Sequence, residues 1–235
     1  MTLYTPQDRI IILGSGLQVV SKASDVAPWY LAGGISAANC LAAYQPKGAA
    51  SLAASYSNLA NPGTYNAAPG VAPTFDASTG WTFNGSTQYL TTGITTAPIR
   101  ADWSFFVRFS NNTGPLAFAV GSYSSGYGSN FGIWAHVFGS YRYCYYNYTE
   151  KASAPSAATL AVAGTHGFLN GTNEATITGS GSGVDTYPDI FIGAQNNGSG
   201  TAQYKFTGKI QAIAIYNTVL SDAQVAAVTT AMNAL

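Results

Sequence analysis

The sequence predicts an all-β protein, an antiparallel β-sandwich with a short helix at its C-terminal end and an arm at its N-terminal end. Three observations carry that expectation. Short runs rich in Val, Ile, Tyr, Phe and Trp recur along the chain and are broken by Gly, Pro, Asn and Ser. Several of these runs alternate apolar and polar residues with period two, as a strand with one buried face must. The 235 residues are 47% hydrophobic, enough for a sizeable core, and only 8% charged, against about 25% in a typical soluble protein.

Residues 1–35 differ from the rest. They hold an apolar stretch from Arg9 to Leu13, a Gly14-Ser-Gly16 turn and a second stretch from Leu17 to Val20, and the segment from Ala27 to Gly34 reads as a linker. Two readings stay open: an arm that pairs with a neighbour or docks on the sandwich, and an extra edge hairpin of the same domain. The division is an arm over 1–35 and one sandwich domain over 36–235. One short helix is expected within 47–60, followed by a Pro- and Gly-rich loop over 61–80.

The stronger strands come next. Trp81–Phe83, the Asn84-Gly85 turn and Gln88–Thr91 predict a hairpin, because Asn-Gly suits a turn with two positive φ angles. In 103–109, Trp103, Phe105, Val107 and Phe109 share the core face, and Ser104, Phe106 and Arg108 the other. In 131–137, Phe131, Ile133, Ala135 and Val137 face one way, and Gly132, Trp134 and His136 the other. Residues 141–148 form a Tyr-rich strand, and Phe168–Thr172 carries a further Asn-Gly hairpin at Asn170-Gly171. The last strands are Asp189–Gly193 and Gly208–Tyr216. The helix runs from Asp222 to Asn233, with Ser221 as N-cap, Gln224 at the third helical position, and Val225, Val228 and Met232 on one face.

Nine basic and nine acidic residues cancel, and no Lys/Arg cluster exists to neutralise phosphates, which argues against nucleic-acid binding. A near-zero net charge disfavours a free monomer and favours life in an assembly. The start, Met1 to Asp8, carries no signal-peptide pattern, and the run Ile10–Leu13 is far too short to span a bilayer, so no membrane insertion is expected. Cys40 and Cys144 make no zinc pattern; buried thiols are the favoured reading, with a disulfide left open.

Four pieces in order resemble the laminin G-like, or concanavalin A-like, jelly-roll family: Trp-Thr-Phe-Asn-Gly-Ser-Thr-Gln-Tyr-Leu (81–90), Asp-Trp-Ser-Phe-Phe-Val-Arg-Phe (102–109), Gly-Phe-Leu-Asn-Gly-Thr (167–172), and the stretch from Phe206 to Val225. The stretch that carries them, from about residue 81 to the end, covers roughly two thirds of the chain, and residues 1–35 fall outside it. The resemblance implies a jelly-roll sandwich. It does not settle function, because such folds bind glycans, proteins or steroids and some are enzymes.

Glycan-cleaving members often carry alternating carboxylates on one strand. This chain has two glutamates, Glu150 and Glu174, neither with a carboxylate two residues away. The two histidines, His136 and His166, form no argued catalytic group, and a protein that is not an enzyme is expected. Calcium is a family habit; as a cofactor here it would fall to Asp102, Asp185 and Asp189, with Asn196 and Asn197 nearby. Sugar binding needs a ring platform beside neutral hydrogen-bonding groups. Sixteen Tyr and four Trp supply rings, and the candidate glycan ligands are Tyr123, Tyr127, Asn130, Trp134, His136, Tyr146 and Tyr148.

The resulting expectation is a structural or binding component of a virus particle, a phage decoration, tail or fibre protein. Its partners would be copies of itself or other particle subunits, with cell-surface polysaccharide, and it would reach the outside by assembly. The alternatives are a bacterial surface or secreted carbohydrate-binding module, and a glycan-cleaving enzyme with an atypical site.

Overall fold

The computed structural model describes residues 9–13, 16–20, 27–95, 102–124, 129–178 and 189–235, with backbone alone for 9–13, 16–20, 124, 129, 130 and 146. In chain order the strands are β1 (Arg9–Leu13), β2 (Gly16–Val20), β3 (Cys40–Tyr44), β4 (Ala68–Val71), β5 (Thr74–Asp76), β6 (Gly80–Asn84), β7 (Tyr89–Thr91), β8 (Ser104–Ser110) and β9 (Leu116–Ser124). They continue with β10 (Ser129–Val137), β11 (Ser140–Ala152), β12 (Ala158–Ala163), β13 (His166–Leu169), β14 (Thr172–Thr176), β15 (Phe191–Ile192), β16 (Gln195–Asn196), β17 (Ala202–Gln203) and β18 (Thr207–Tyr216). Two helices, α1 (Leu52–Ser55) and α2 (Asp222–Asn233), complete the fold.

Two sheets face each other. The front sheet runs β11-β10-β9-β15-β7-β4, with β16 beside β9 and β17 beside β16; the back sheet runs β14-β13-β12-β8-β18-β6-β5, with β3 also on β18. All strand pairs are antiparallel except the one-residue β16–β9 contact. Between the sheets lies the core, built on Trp81, Phe83, Phe105, Phe109, Phe131, Tyr143 and Ile213, all 1% exposed or less. Among the described residues the β1–β2 hairpin pairs with itself and joins neither sheet.

The back sheet is covered on its outer face too. There α2 lays Val225, Val228 and Met232 on Phe106, Ala161, Ala212, Ala214 and Tyr216, which explains why Phe106, on the non-core face of β8, is fully buried. The helix starts where the sequence places it, with Ser221 and Gln224 forming a reciprocal capping box. The stretch read as a linker docks on this layer: Trp29 is 8% exposed, and the Tyr216 hydroxyl donates to the Tyr30 carbonyl at 2.8 Å.

Three local expectations are corrected. Asn84-Gly85 does not close a hairpin, since β6 belongs to the back sheet and β7 to the front. Instead Asn84 Oδ1 accepts from the backbone N–H groups of Ser86, Thr87 and Gln88, holding a turn that carries the chain from one layer to the other. Val137 lies outside the core, because register shifts after Trp134 turn it to the outer face with Phe118, Trp134 and Cys144. The Tyr-rich strand doubles back. Arg142 and Glu150 would be roughly 26 Å apart on a straight strand, yet they form a 2.6 Å ion pair, and Ala154 N–H reaches the Gly139 carbonyl. The Asn170-Gly171 hairpin is as expected, with φ of 49° and 85°.

The thiols stand apart and are free: Cys40 packs under α2, and Cys144 lies on the outer face of the front sheet. Burial pushes the Cys40 thiol up to about 12 and raises that of Cys144 as well, which disfavours the thiolate at both. If the α2 layer carries stability, Met232→Ala lowers the unfolding free energy by about 2–5 kcal/mol. A guanidinium titration checks this, the midpoint falling with the slope unchanged.

Candidate ligand-binding face

Strand register gathers several of the candidate residues on one face. Asn130 on β10 stands opposite Tyr123 on β9 and Tyr146 on β11, so these three form one cross-strand row of the front sheet. Tyr123 is half-buried. Two residues along, Gly132 faces Gly121 and Cys144; two further, Trp134 faces Phe118 and Arg142. Tyr127 and Asp185 lie outside the described residues.

The glycine row is forced by close strand approach. Gly121 and Gly132 have φ of 137° and 140°, and a Cβ on either would meet a carbonyl oxygen of the opposite strand at 2.0–2.1 Å. This row is therefore bare backbone at Gly121 and Gly132, beside Cys144.

Trp134 is 6% exposed and is not itself a surface platform. It packs edge-on against Phe118, ring centroids 5.1 Å apart, and lies under Tyr204 at 4.8 Å. Its indole N–H is buried without a partner among the described residues. His136 sits at the bulge, its Nδ1 3.2 Å from the Pro115 carbonyl. Tyr148 is 46% exposed, with the Arg142 guanidinium 4.3 Å above its ring and Glu150 pairing that guanidinium from the returning limb.

Sequence reasoning missed Tyr204 and Phe138. Tyr204 is 42% exposed and Phe138 76%, and both hold left-handed backbone, with φ of 49° and 46°. A large side chain in that region is strained by about 1–3 kcal/mol. At Tyr204 the strain is held by the adjoining chain, where its carbonyl accepts from Phe118 N–H at 2.9 Å. Phe138 stands before Gly139 in the β10–β11 turn, and an aromatic residue at a hairpin tip was a legible signal for it. Tyr204 falls in a non-periodic stretch and left none.

The metal candidates do not converge. Asp102 is exposed in a turn before β8. Asp189 turns inward, where its Oδ1 accepts from the Thr92 N–H at 3.2 Å and the Thr92 hydroxyl at 3.1 Å. Among the described residues no three His, Cys, Asp or Glu gather as a metal site. Burial raises the Asp189 carboxyl above its ordinary range, only partly offset by the Thr92 bonds. Glu174 accepts from the hydroxyls of Tyr141, at 2.6 Å, and Tyr143, at 3.0 Å, joining the two sheets at their edge. Burial and that carboxylate raise both phenols, which suits hydrogen-bond donors and opposes a tyrosinate nucleophile. In a cavity of about 220 Å³ beside α1, two of the polar lining groups are already engaged: Gln45 accepts from Trp29, and Ser55 from Trp81.

No family model matches the sequence, and no curated protein is significantly similar to it. Solved structures do share the fold. A mutant of Trypanosoma rangeli sialidase displaying trans-sialidase activity superposes with a TM-score of 0.59 at 14% identity, covering 84% of this chain and 34% of the sialidase. Another Trypanosoma rangeli sialidase structure gives 0.55 at 13%, covering 83% and 33%. Domain 4 of AbnA, a GH43 extracellular arabinanase from Geobacillus stearothermophilus, in complex with arabinotriose, gives 0.55 at 12%, covering 81% of this chain and 98% of that domain. The chain thus spans about a third of the sialidase chains. These likenesses show the fold, an antiparallel β-sandwich of the jelly-roll kind. They also correct the expectation that the protein is not an enzyme, because sialidases are enzymes and carry this fold within their chains.

The raised Asp189 carboxyl makes a signed prediction. A raised folded-state value favours the protonated form, so this contribution is present below the ordinary carboxylate range and is lost as pH rises through the folded value. Asp76 and Glu150 are shifted down and act oppositely, so the comparison is between wild type and Asp189→Asn, which keeps the oxygen that Thr92 uses. Denaturant unfolding across pH should show the variant gaining stability over wild type as pH rises above the ordinary carboxylate range; parallel curves would refute it.

Proposed function

We propose that the chain is a carbohydrate-binding sandwich domain, with its ligand lying along the band Tyr204–Trp134–Arg142–Tyr148 on the outer face of the front sheet. The observation that carries this reading is Tyr204. It is a strained, half-exposed ring lying over a buried indole whose N–H has no partner among the described residues. A ring so held offers an apolar sugar face a stacking surface, and its displacement would hand the indole N–H to a hydroxyl. Tyr148, braced by Arg142, supplies the second ring, and the low charge of the chain leaves neutral hydrogen-bonding groups around both. Two likenesses support the reading: an arabinanase domain held with arabinotriose, almost all of which this chain covers, and sialidases.

A second reading, a virus-particle component that assembles with its own copies, is favoured by the β1–β2 hairpin. Among the described residues it pairs only with itself, a form suited to strand addition across subunits. Size exclusion with light scattering tests it: a concentration-dependent oligomer supports it, and a strict monomer refutes it.

A glycan array followed by titration tests the first reading, with the bound glycans assayed for cleavage. Tyr204→Ala and Tyr148→Ala should each weaken binding roughly five- to tenfold, the value of one stacked ring. Silence across neutral and acidic polysaccharides, or full binding by both variants, would remove it.

A further inference from the structure

The β10–β11 hairpin ends in an aromatic residue that fills no core. Val137 pairs with Ser140, so the turn is the two residues Phe138 and Gly139, with φ of 46° and 92°. Positive φ at both positions is the pattern of a type I′ turn, which favours Asn, Asp or Gly at the first and Gly at the second. The chain makes that choice elsewhere: Asn170-Gly171 joins β13 to β14 with φ of 49° and 85°. At the same backbone geometry the β10–β11 turn carries a phenylalanine.

Phe138 is disfavoured twice, by its left-handed backbone and by water. It is 76% exposed and belongs to none of the three buried apolar clusters. A residue that costs stability in both ways and returns none through packing points to a contact outside the fold.

Neighbouring backbone holds the ring in place. Phe138 N–H donates to the Pro115 carbonyl at 2.8 Å, and Ala154 N–H donates to the Gly139 carbonyl at 2.8 Å. Tyr204 is pinned to the same short segment, its carbonyl accepting from Phe118 N–H at 2.9 Å. The two strained rings are thus mounted on residues 115–118, whose ends lie at most about 11 Å apart. His136 stands opposite Ala117 in that segment, with its Nδ1 3.2 Å from the Pro115 carbonyl. A carbonyl only accepts, so Nδ1 donates there, and the neutral ring keeps Nε2 as an acceptor.

The third ring is off this line. Tyr148 is reached across the strands, from Trp134 through its partner Arg142, whereas Phe138 is reached along β10. The footprint therefore has a corner at Tyr204. A linear chain stacked on Tyr204 and Tyr148 leaves Phe138 empty, and a side branch fills it. The cations nearby are spoken for: Arg142 pairs with Glu150, and Lys151 donates to the Glu174 carbonyl. That leaves rings and neutral groups, without the free cations that would draw the tip onto an anionic membrane.

We propose that Phe138 is a stacking subsite for a side branch, so that the front face takes a branched neutral oligosaccharide. This rests on the carbohydrate reading above and adds to it a third ring and a ligand architecture.

Isothermal titration of the full chain compares mannotetraose with its galactosyl-branched form, and cellotetraose with the xylosyl-branched oligosaccharide of the same backbone. Wild type should prefer the branched member of a pair by about fivefold, the value of one stacked ring. Phe138→Asn gives this turn the dipeptide of the other one. It should bring the ratio close to one, with the denaturant midpoint unchanged or raised. Tyr204→Ala should weaken both members of the pair. No preference in wild type, or a preference that survives Phe138→Asn, overturns the subsite; if binding still depends on Tyr204, the carbohydrate reading stands. A midpoint lowered by Phe138→Asn would show that the ring serves the fold, and overturns the subsite as well. Sedimentation with phosphatidylserine vesicles that is lost in Phe138→Asn would give the ring to a membrane instead. Binding of none of the four oligosaccharides removes the subsite together with the neutral-glycan reading beneath it.

Discussion

The fold depends on one strand being buried on both faces. β18 runs ten residues through the middle of the back sheet, and from Ile210 every residue except Gln211 is buried. One edge pairs with β8, while the other pairs first with β6 and then with β3. Ile213 and Ile215 fill the core between the sheets, and Ala212, Ala214 and Tyr216 receive α2 and Trp29. The small alanines are what let a helix lie close on a sheet, and Phe106 and Tyr216 fill the space beside them. A polar residue at any of these positions would be buried without a partner.

Covering the back sheet with α2 divides the surface by chemistry. On that side the surface left beside the end of the helix is a small cleft. On the front sheet, by contrast, no helix among the described residues covers the outer face of β9 and β10, and its rings pack on one another and on Leu116, Val137 and Cys144. Phe118, Trp134, Val137 and Cys144 form a thin second core there, closed by Tyr204. An apolar layer one side chain deep, capped by a strained tyrosine, suits reversible contact better than permanent burial.

Much of the architecture was legible because its signals are local. The α2 helix announces itself by Ser221, Gln224 and the spacing of Val225, Val228 and Met232, and Asn170-Gly171 by the φ angles that dipeptide accepts. The alternation of Phe105, Val107 and Phe109 marks the core face of β8. Other features are set by distant partners. Asn84-Gly85 marks a turn, but nothing in the dipeptide says that its flanking strands join different sheets. The displacement of Val137 is fixed by the register of β9 and β11, not by its own neighbours in sequence. The candidate residues Tyr123, Asn130 and Tyr146 do share a row, a consequence of alternation plus pairing. Tyr204 belongs to no periodic run, and the contact of Arg108 with the end of α2 joins residues more than a hundred apart.

Charge shows how differently the two faces are tuned. In a chain with nine basic residues, each cation is a deliberate placement. Arg142 is neutralised by Glu150 and spread over the Tyr148 ring, so it acts as a brace that holds an aromatic surface in place. Arg108 instead holds the end of α2, donating to the Met232 carbonyl and to the Leu235 oxygen, and burial lowers its proton affinity. One arginine thus braces an aromatic ring on the front sheet, and the other ties the end of α2 to the back sheet.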